Sequence, residues 1–133
     1  MNKLLTFIVL VLLMGCGNSV EDLREKVISI HDEVMPEMST IHRLSKDLAT
    51  AAGDSLRSEA QREKIKTQIQ ALDQADEAMM TWMAEYKAPS ADVPKEEALD
   101  LLRQEKVKIT SVRDKIINSI SEAKSLLKEL EQK

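Results

Sequence analysis

From Ser19 onward, apolar residues recur with a helical period. Val20, Leu23, Val27, Ile30 and Val34, then Ile41, Leu44, Leu48 and Ala51, hold a spacing of three and four positions or their sum. Glu37 fills the one slot of that series that ought to be apolar, and Pro36 stands beside it. A proline within a helix removes a backbone donor and clashes with the preceding turn, so the pattern predicts a first helix kinked or broken near Pro36. Ser19 with Asp22 makes a capping-box start, and Gly53 behind Ala51-Ala52 makes a stop. A second stripe runs through Ile65, Ile69, Leu72, Ala75, Met79, Trp82, Met83 and Tyr86. Its helix begins between residues 54 and 61, where Ser58 and Gln61 repeat the capping-box pattern, and stops at Ala88-Pro89. Residues 88–93 read as the loop. Asp92 is the expected cap of a third helix with Pro94 in its first turn. The third stripe is Ala98, Leu99, Leu102, Ile109, Val112, Ile116, Ile120, Ala123, Leu126, Leu127 and Leu130.

Three helices of roughly 30 to 38 residues would each span about 45–57 Å. Short connections make sequential neighbours antiparallel, so the expected fold is all-α: an elongated up-down-up three-helix bundle. The stripes are wider than a two-position seam, which suits a bundle better than a two-stranded coiled coil. An extended hairpin closing its faces as a homo-oligomer would satisfy the same pattern. Composition agrees with the helical reading, because 3 Gly, 3 Pro and 2% aromatic residues leave few turn and strand formers.

Ahead of the helices stands a different pattern. Lys3 precedes an apolar run over residues 4–13, broken only by Thr6, and Leu13-Met14-Gly15-Cys16 closes it. The arrangement resembles a bacterial lipoprotein signal, with Met14 bulkier than the residue usual in such a lipobox. The resemblance implies cleavage after Gly15, leaving residues 1–15 as signal peptide and 16–133 as one helical domain of 118 residues. Cys16 would carry the lipid, and two or three acyl chains hold a protein where one does so only marginally. The run is too short for a transmembrane helix, which needs about 20 apolar residues. Gly17-Asn18-Ser19 lacks an Asp directly after the cysteine and has no acidic run there. The expected location is therefore the outer membrane, facing the periplasm.

Charge narrows the partners. The full chain carries a net charge of −4, and loss of Lys3 with the signal makes the mature chain more acidic by a single unit. No basic stripe exists to neutralise phosphates, so nucleic acid is not an expected partner, nor is electrostatic docking on anionic lipid. With a single cysteine, no disulfide can form within the chain.

The most unusual stretch is His31-Asp32-Glu33-Val34-Met35-Pro36-Glu37-Met38, followed by His42. His31, Met35, Met38 and His42 fall on one helical stripe beside the heptad face. Thioethers and imidazoles are soft ligands that select copper(I), and Met79, Met80 and Met83 on the second helix add to the set. Against this, methionine is a common core filler beside aromatic residues, and Ile28, Ala49 and Ala52 share the same stripe. Packing is the stronger reading, with His31, Met35, Met38, His42, Met79 and Met83 as the alternative copper(I) donors. Asp32, Glu33 and Glu37 with Asp73, Asp76 and Glu77 lack the Glu-x-x-His pairs of a di-metal bundle site and read as solvated. No nucleophile–base pairing or phosphate-cradling glycine loop occurs, so no enzymatic activity and no cofactor beyond the lipid is expected. Lys133 ends the chain as in Braun-type lipoproteins, whose terminal amine is joined to peptidoglycan, but without their aromatic-basic ending.

Together, His31-Asp32-Glu33-Val34-Met35-Pro36-Glu37-Met38 and Asp76-Glu77-Ala78-Met79-Met80-Thr81-Trp82-Met83 resemble a group of small Bacteroidota lipoproteins, some labelled "viral A-type inclusion protein". The resemblance spans nearly the whole mature chain and implies a secreted, lipidated helical protein with no established activity. The expected function is that of a non-enzymatic interaction or scaffolding module in the cell envelope. Trp82, Met79 and Met83 are expected to lie near the Pro36 kink, and any surface that stays apolar and exposed there is the expected partner site. Copper(I) handling and an envelope-stress holdase role are the alternatives.

Overall fold

The computed structural model describes residues 19–132. The signal segment, Cys16 and Lys133 lie outside the described residues. Within them the protein is helical: α1 is Val20–Val34, α2 Glu37–Ala52, α3 Glu59–Glu85 and α4 Lys95–Glu131. No strand occurs among the described residues.

Helices α1 and α2 form one rod bent at residues 35–36. Both residues keep right-handed helical dihedrals, with Met35 at φ −53° and Pro36 at φ −60°. The chain therefore bends without opening into a loop. Pro36 has no N–H to give to the preceding turn, while Met35 N–H still donates to the His31 carbonyl at 3.0 Å. The predicted break and the Glu37 exception coincide here, and Glu37 is half-buried in the first turn of α2.

Both predicted capping boxes are present. The Ser19 hydroxyl accepts from Asp22 N–H at 3.0 Å and Ser19 N–H donates to the Asp22 carboxylate at 3.1 Å. Ser58 and Gln61 make the same reciprocal pair at the start of α3.

Three other ends depart from the sequence reading. Gly53 does follow the last residue of α2, but at φ −74° it is right-handed, so glycine's special freedom is not what stops the helix. Helix α3 ends at Glu85, short of Ala88-Pro89. Tyr86 turns extended at ψ 124° and stacks on Trp82, while Pro89 is buried and its carbonyl accepts from Arg24 Nη2 at 2.9 Å. The loop is thus pulled onto α1 before proline would have ended the helix. Helix α4 starts at Lys95 behind an extended Pro94, with Asp92 too early to cap it and no side-chain cap in its place. Residues 53–58 form a second loop besides the expected one.

The three rods pack together. Across the α3–α4 contact, residue numbers run in opposite senses: Lys64 pairs with Glu129, Gln68 with Ser119 and Trp82 with Glu105. The first rod and α4 run the same way, since Leu23 packs with Leu99 and Leu102 while Val34 shares a groove with Ile117 and Ile120. Helix α2 packs on both α3 and α4, whereas α1 packs chiefly on α4. One core joins Val27, Val34, Ile41, Leu44 and Leu48 to Ile65, Leu72, Ala75 and Met79 of α3 and to Ile109, Ile116 and Ala123 of α4. A smaller cluster of Leu23, Leu99 and Leu102 closes the end next to Ser19.

Candidate functional site

The stripe of α4 is interrupted at two points on the same line. Ala98, Glu105, Val112, Ser119 and Leu126 stand seven residues apart, and two of them are polar. Both meet α3. Gln68 Nε2 donates to the Ser119 carbonyl at 3.0 Å, and the Ser119 hydroxyl, itself buried, returns to its own helix at the Ile116 carbonyl. Glu105 receives the indole Nε1–H of Trp82 at 3.0 Å on one oxygen and the Lys108 ammonium at 2.7 Å on the other. Its side chain is only 15% exposed, and both oxygens are engaged. The Glu105 hydrogen bond in turn holds the Lys108 ammonium above the usual lysine range.

Trp82 is the centre of this region. It is 6% exposed, stacks on Tyr86 at a centroid distance of 4.8 Å, and meets the His31 ring at 5.5 Å. The three rings fill the space between α1 and α3 where the helices themselves do not pack closely. Tyr86 lies in the turn below, its hydroxyl buried without a hydrogen-bond partner. Burial raises the Tyr86 pKa; the Arg24 cation opposes the rise, while Glu105 and Glu21 add to it.

The soft-donor candidates fall into different settings. His31 lies on Trp82, with Nδ1 2.9 Å from the Asp32 carboxylate. His42 is exposed and ties α2 to α3 through Asp76 at 3.0 Å. Met79 is fully buried, and Met35, Met38 and Met83 are half-buried against the same core. Among the described residues, no three His, Cys, Asp or Glu side chains gather as a metal-binding group. Met80 is the exposed methionine of α3, at 55%.

Trp82 and Met79 belong to the core and Met83 is half-buried on it, so these three side chains form no exposed apolar face. The periodicity marks Trp82 as buried but does not name its partner. The signal for Glu105 is the missing apolar residue between Leu102 and Ile109. Gln68 and Ser119 carry no comparable mark, because Ile120 continues the stripe beside Ser119. What the arrangement does chemically is join helices: each polar group found on the α4 line is satisfied by α3 or by its own helix. Compared with protein-family models, with curated proteins and with solved structures, the chain matches none.

Proposed function

We propose that the chain is a lipid-anchored protein of the cell envelope, facing the periplasm, and that it works as a non-enzymatic interaction or scaffolding module. Its body is an elongated up-down-up three-helix bundle. The observation that carries the reading is the capping box at Ser19. Helix α1 begins at Val20, so only Gly17 and Asn18 separate Cys16 from the cap. The Ser19 hydrogen bonds hold the Asp22 carboxyl below the usual carboxylate range. A lipid on Cys16 is then fixed to a rod with almost no tether, and the anchor sets the position of the whole body. No described helix is long and apolar enough to cross a membrane; on this reading the lipid is the attachment.

The resemblance to small helical lipoproteins supports the same reading, as do core residues spent on joining helices. Acyl labelling of the full chain in a bacterial host tests it. Wild type is expected to take up label and to sediment with membranes; Cys16→Ala is expected to lose both. Sedimentation of Cys16→Ala with the membrane fraction would defeat the anchor. A photocrosslinker placed at exposed Met80 or Val107 tests the interaction role, with a discrete adduct in intact envelopes as the expected result.

A further inference from the structure

Beside the core, α4 carries a second line of positions toward α1: Arg103, Thr110, Ile117 and Lys124, each seven residues from the next. Two grooves open along this α1–α4 seam. One, of about 380 Å³, is lined by Leu23, Val107 and Thr110 with Arg103 and Lys106. The other, of about 500 Å³, is lined by Val34, Ile117 and Ile120 with Glu33, Glu37 and Lys124. Their floors are core side chains, while Val107 and Ile117 stand out on the surface at 71% and 46% exposure. An apolar side chain thus marks each groove. The first groove brings two cations to it, and the second brings two carboxylates and one cation.

We propose that this seam is the interface of a two-fold homodimer in which the two α4 helices run antiparallel. Val107 and Ile117 are equally spaced on either side of Val112 in the sequence. At a rise of 1.5 Å per residue they sit about 15 Å apart along the helix. A two-fold axis perpendicular to α4, passing beside the seam at the level of Val112, brings Val107 of each copy onto Ile117 of the other. The same rotation sets the Arg103–Lys106 end of each copy against the Glu33–Glu37 end of the other. A parallel pairing would stack like charges at both ends, which opposes association. The patch is therefore complementary to itself under two-fold rotation, as an isologous interface requires. On α4 the seam runs from Arg103 to Lys124, about 32 Å at the helical rise. The inference goes beyond the anchoring proposal and does not depend on it. In a lipidated dimer, the two Cys16 residues lie at opposite ends and the pair lies along the membrane.

Disulfide trapping tests the interface, both in intact envelopes and in purified protein carrying Cys16→Ala, so that failure of anchoring alone does not count against it. The double variant Val107→Cys/Ile117→Cys is expected to give a crosslinked dimer under mild oxidation, and each single variant little. Efficient crosslinking of Val107→Cys alone would indicate parallel pairing and overturn the proposal. So would the absence of any crosslinked dimer. In the double-cysteine background, Glu33→Lys/Glu37→Lys and Arg103→Glu/Lys106→Glu are each expected to reduce trapping by about tenfold or more, since like charges then face one another. Combining both reversals in one chain restores opposite charges and is expected to restore trapping. Failure of that rescue, with helical circular dichroism intact, would also overturn the proposal.

Discussion

On the α2 side of the bend, Leu44, Leu48, Ile65, Leu72 and Ile116 are each at most 2% exposed, and α2 touches both other rods. On the α1 side, α1 rests on α4, and the space toward α3 is occupied by His31, Trp82 and Tyr86 with Glu105 behind them. One side uses interchangeable aliphatic side chains that interlock wherever helices approach. The other keeps aliphatic packing toward α4, through Leu23, Val27 and Val34, but meets α3 through flat rings and a directional hydrogen bond that work in one arrangement. The first kind of packing tolerates substitutions that keep volume and pattern. The second fixes which residue faces which, because a buried indole N–H without its acceptor is costly. The bend at Met35-Pro36 separates the two regimes.

The largest effects are expected from truncating the centre of each region. Trp82→Ala should cost about 3–5 kcal/mol and Leu72→Ala about 2–5 kcal/mol in urea unfolding. The regional response is the sharper measurement. Loss of Trp82 removes the ring contact through which α1 meets α3, so hydrogen exchange should accelerate in α1 well before α2. Leu72→Ala should weaken protection on both sides of the bend together. Equal acceleration of α1 and α2 in Trp82→Ala would break the comparison.

A smaller contrast separates the two polar positions on the α4 line. Glu105→Ala strands the Trp82 N–H and should cost about 1–3 kcal/mol, with Glu105→Gln recovering most of the loss by restoring an acceptor. Ser119→Ala removes only a hydroxyl bonded to its own helix, while the carbonyl that receives Gln68 remains. Alanine is the better helix former, so this change should stay within about 0.5 kcal/mol of wild type. A loss at Ser119 as large as that at Glu105 would mean that the clamp is not what distinguishes the α1 side.

The aliphatic side of this contrast is legible in the sequence. Periodicity alone marks Leu44, Leu48, Ile65, Leu72 and Ile116 as core, and the caps at Ser19 and Ser58 follow from local chemistry. The aromatic side is only partly legible. Trp82 and Tyr86 fall on a buried stripe, but nothing local says that Tyr86 leaves the helix or that Pro89 docks on Arg24. Those outcomes depend on groups distant in sequence: Arg24 and Pro89 are 65 residues apart. Likewise, a gap in the α4 stripe flags Glu105 without naming its partner. The apolar period fixes which face is buried, while the pairing of polar groups across faces emerges only when the helices are placed.

Tyr86 gives the smallest effect and the most specific one. Its hydroxyl is buried with no partner, so Tyr86→Phe removes an unsatisfied group and should be neutral or stabilising by up to about 1 kcal/mol. The pH dependence identifies the cause. Burial raises the folded-state pKa of Tyr86 above its ordinary value. The folded protein then holds the phenolic proton more tightly than the unfolded chain does. That contribution is fully present below the ordinary tyrosine range, near pH 10, and is lost as pH climbs through the higher folded value. Lys108, raised by Glu105, weakens the fold in the same direction at high pH, so wild type alone cannot assign the loss. The difference between wild type and Tyr86→Phe can, because Lys108 is common to both. Urea midpoints measured between about pH 8 and pH 11, with Trp82 fluorescence as the signal, should fall less steeply in Tyr86→Phe. Parallel curves would show that the Tyr86 hydroxyl reaches solvent, and the aromatic side of the rod would then be wetter than the aliphatic one.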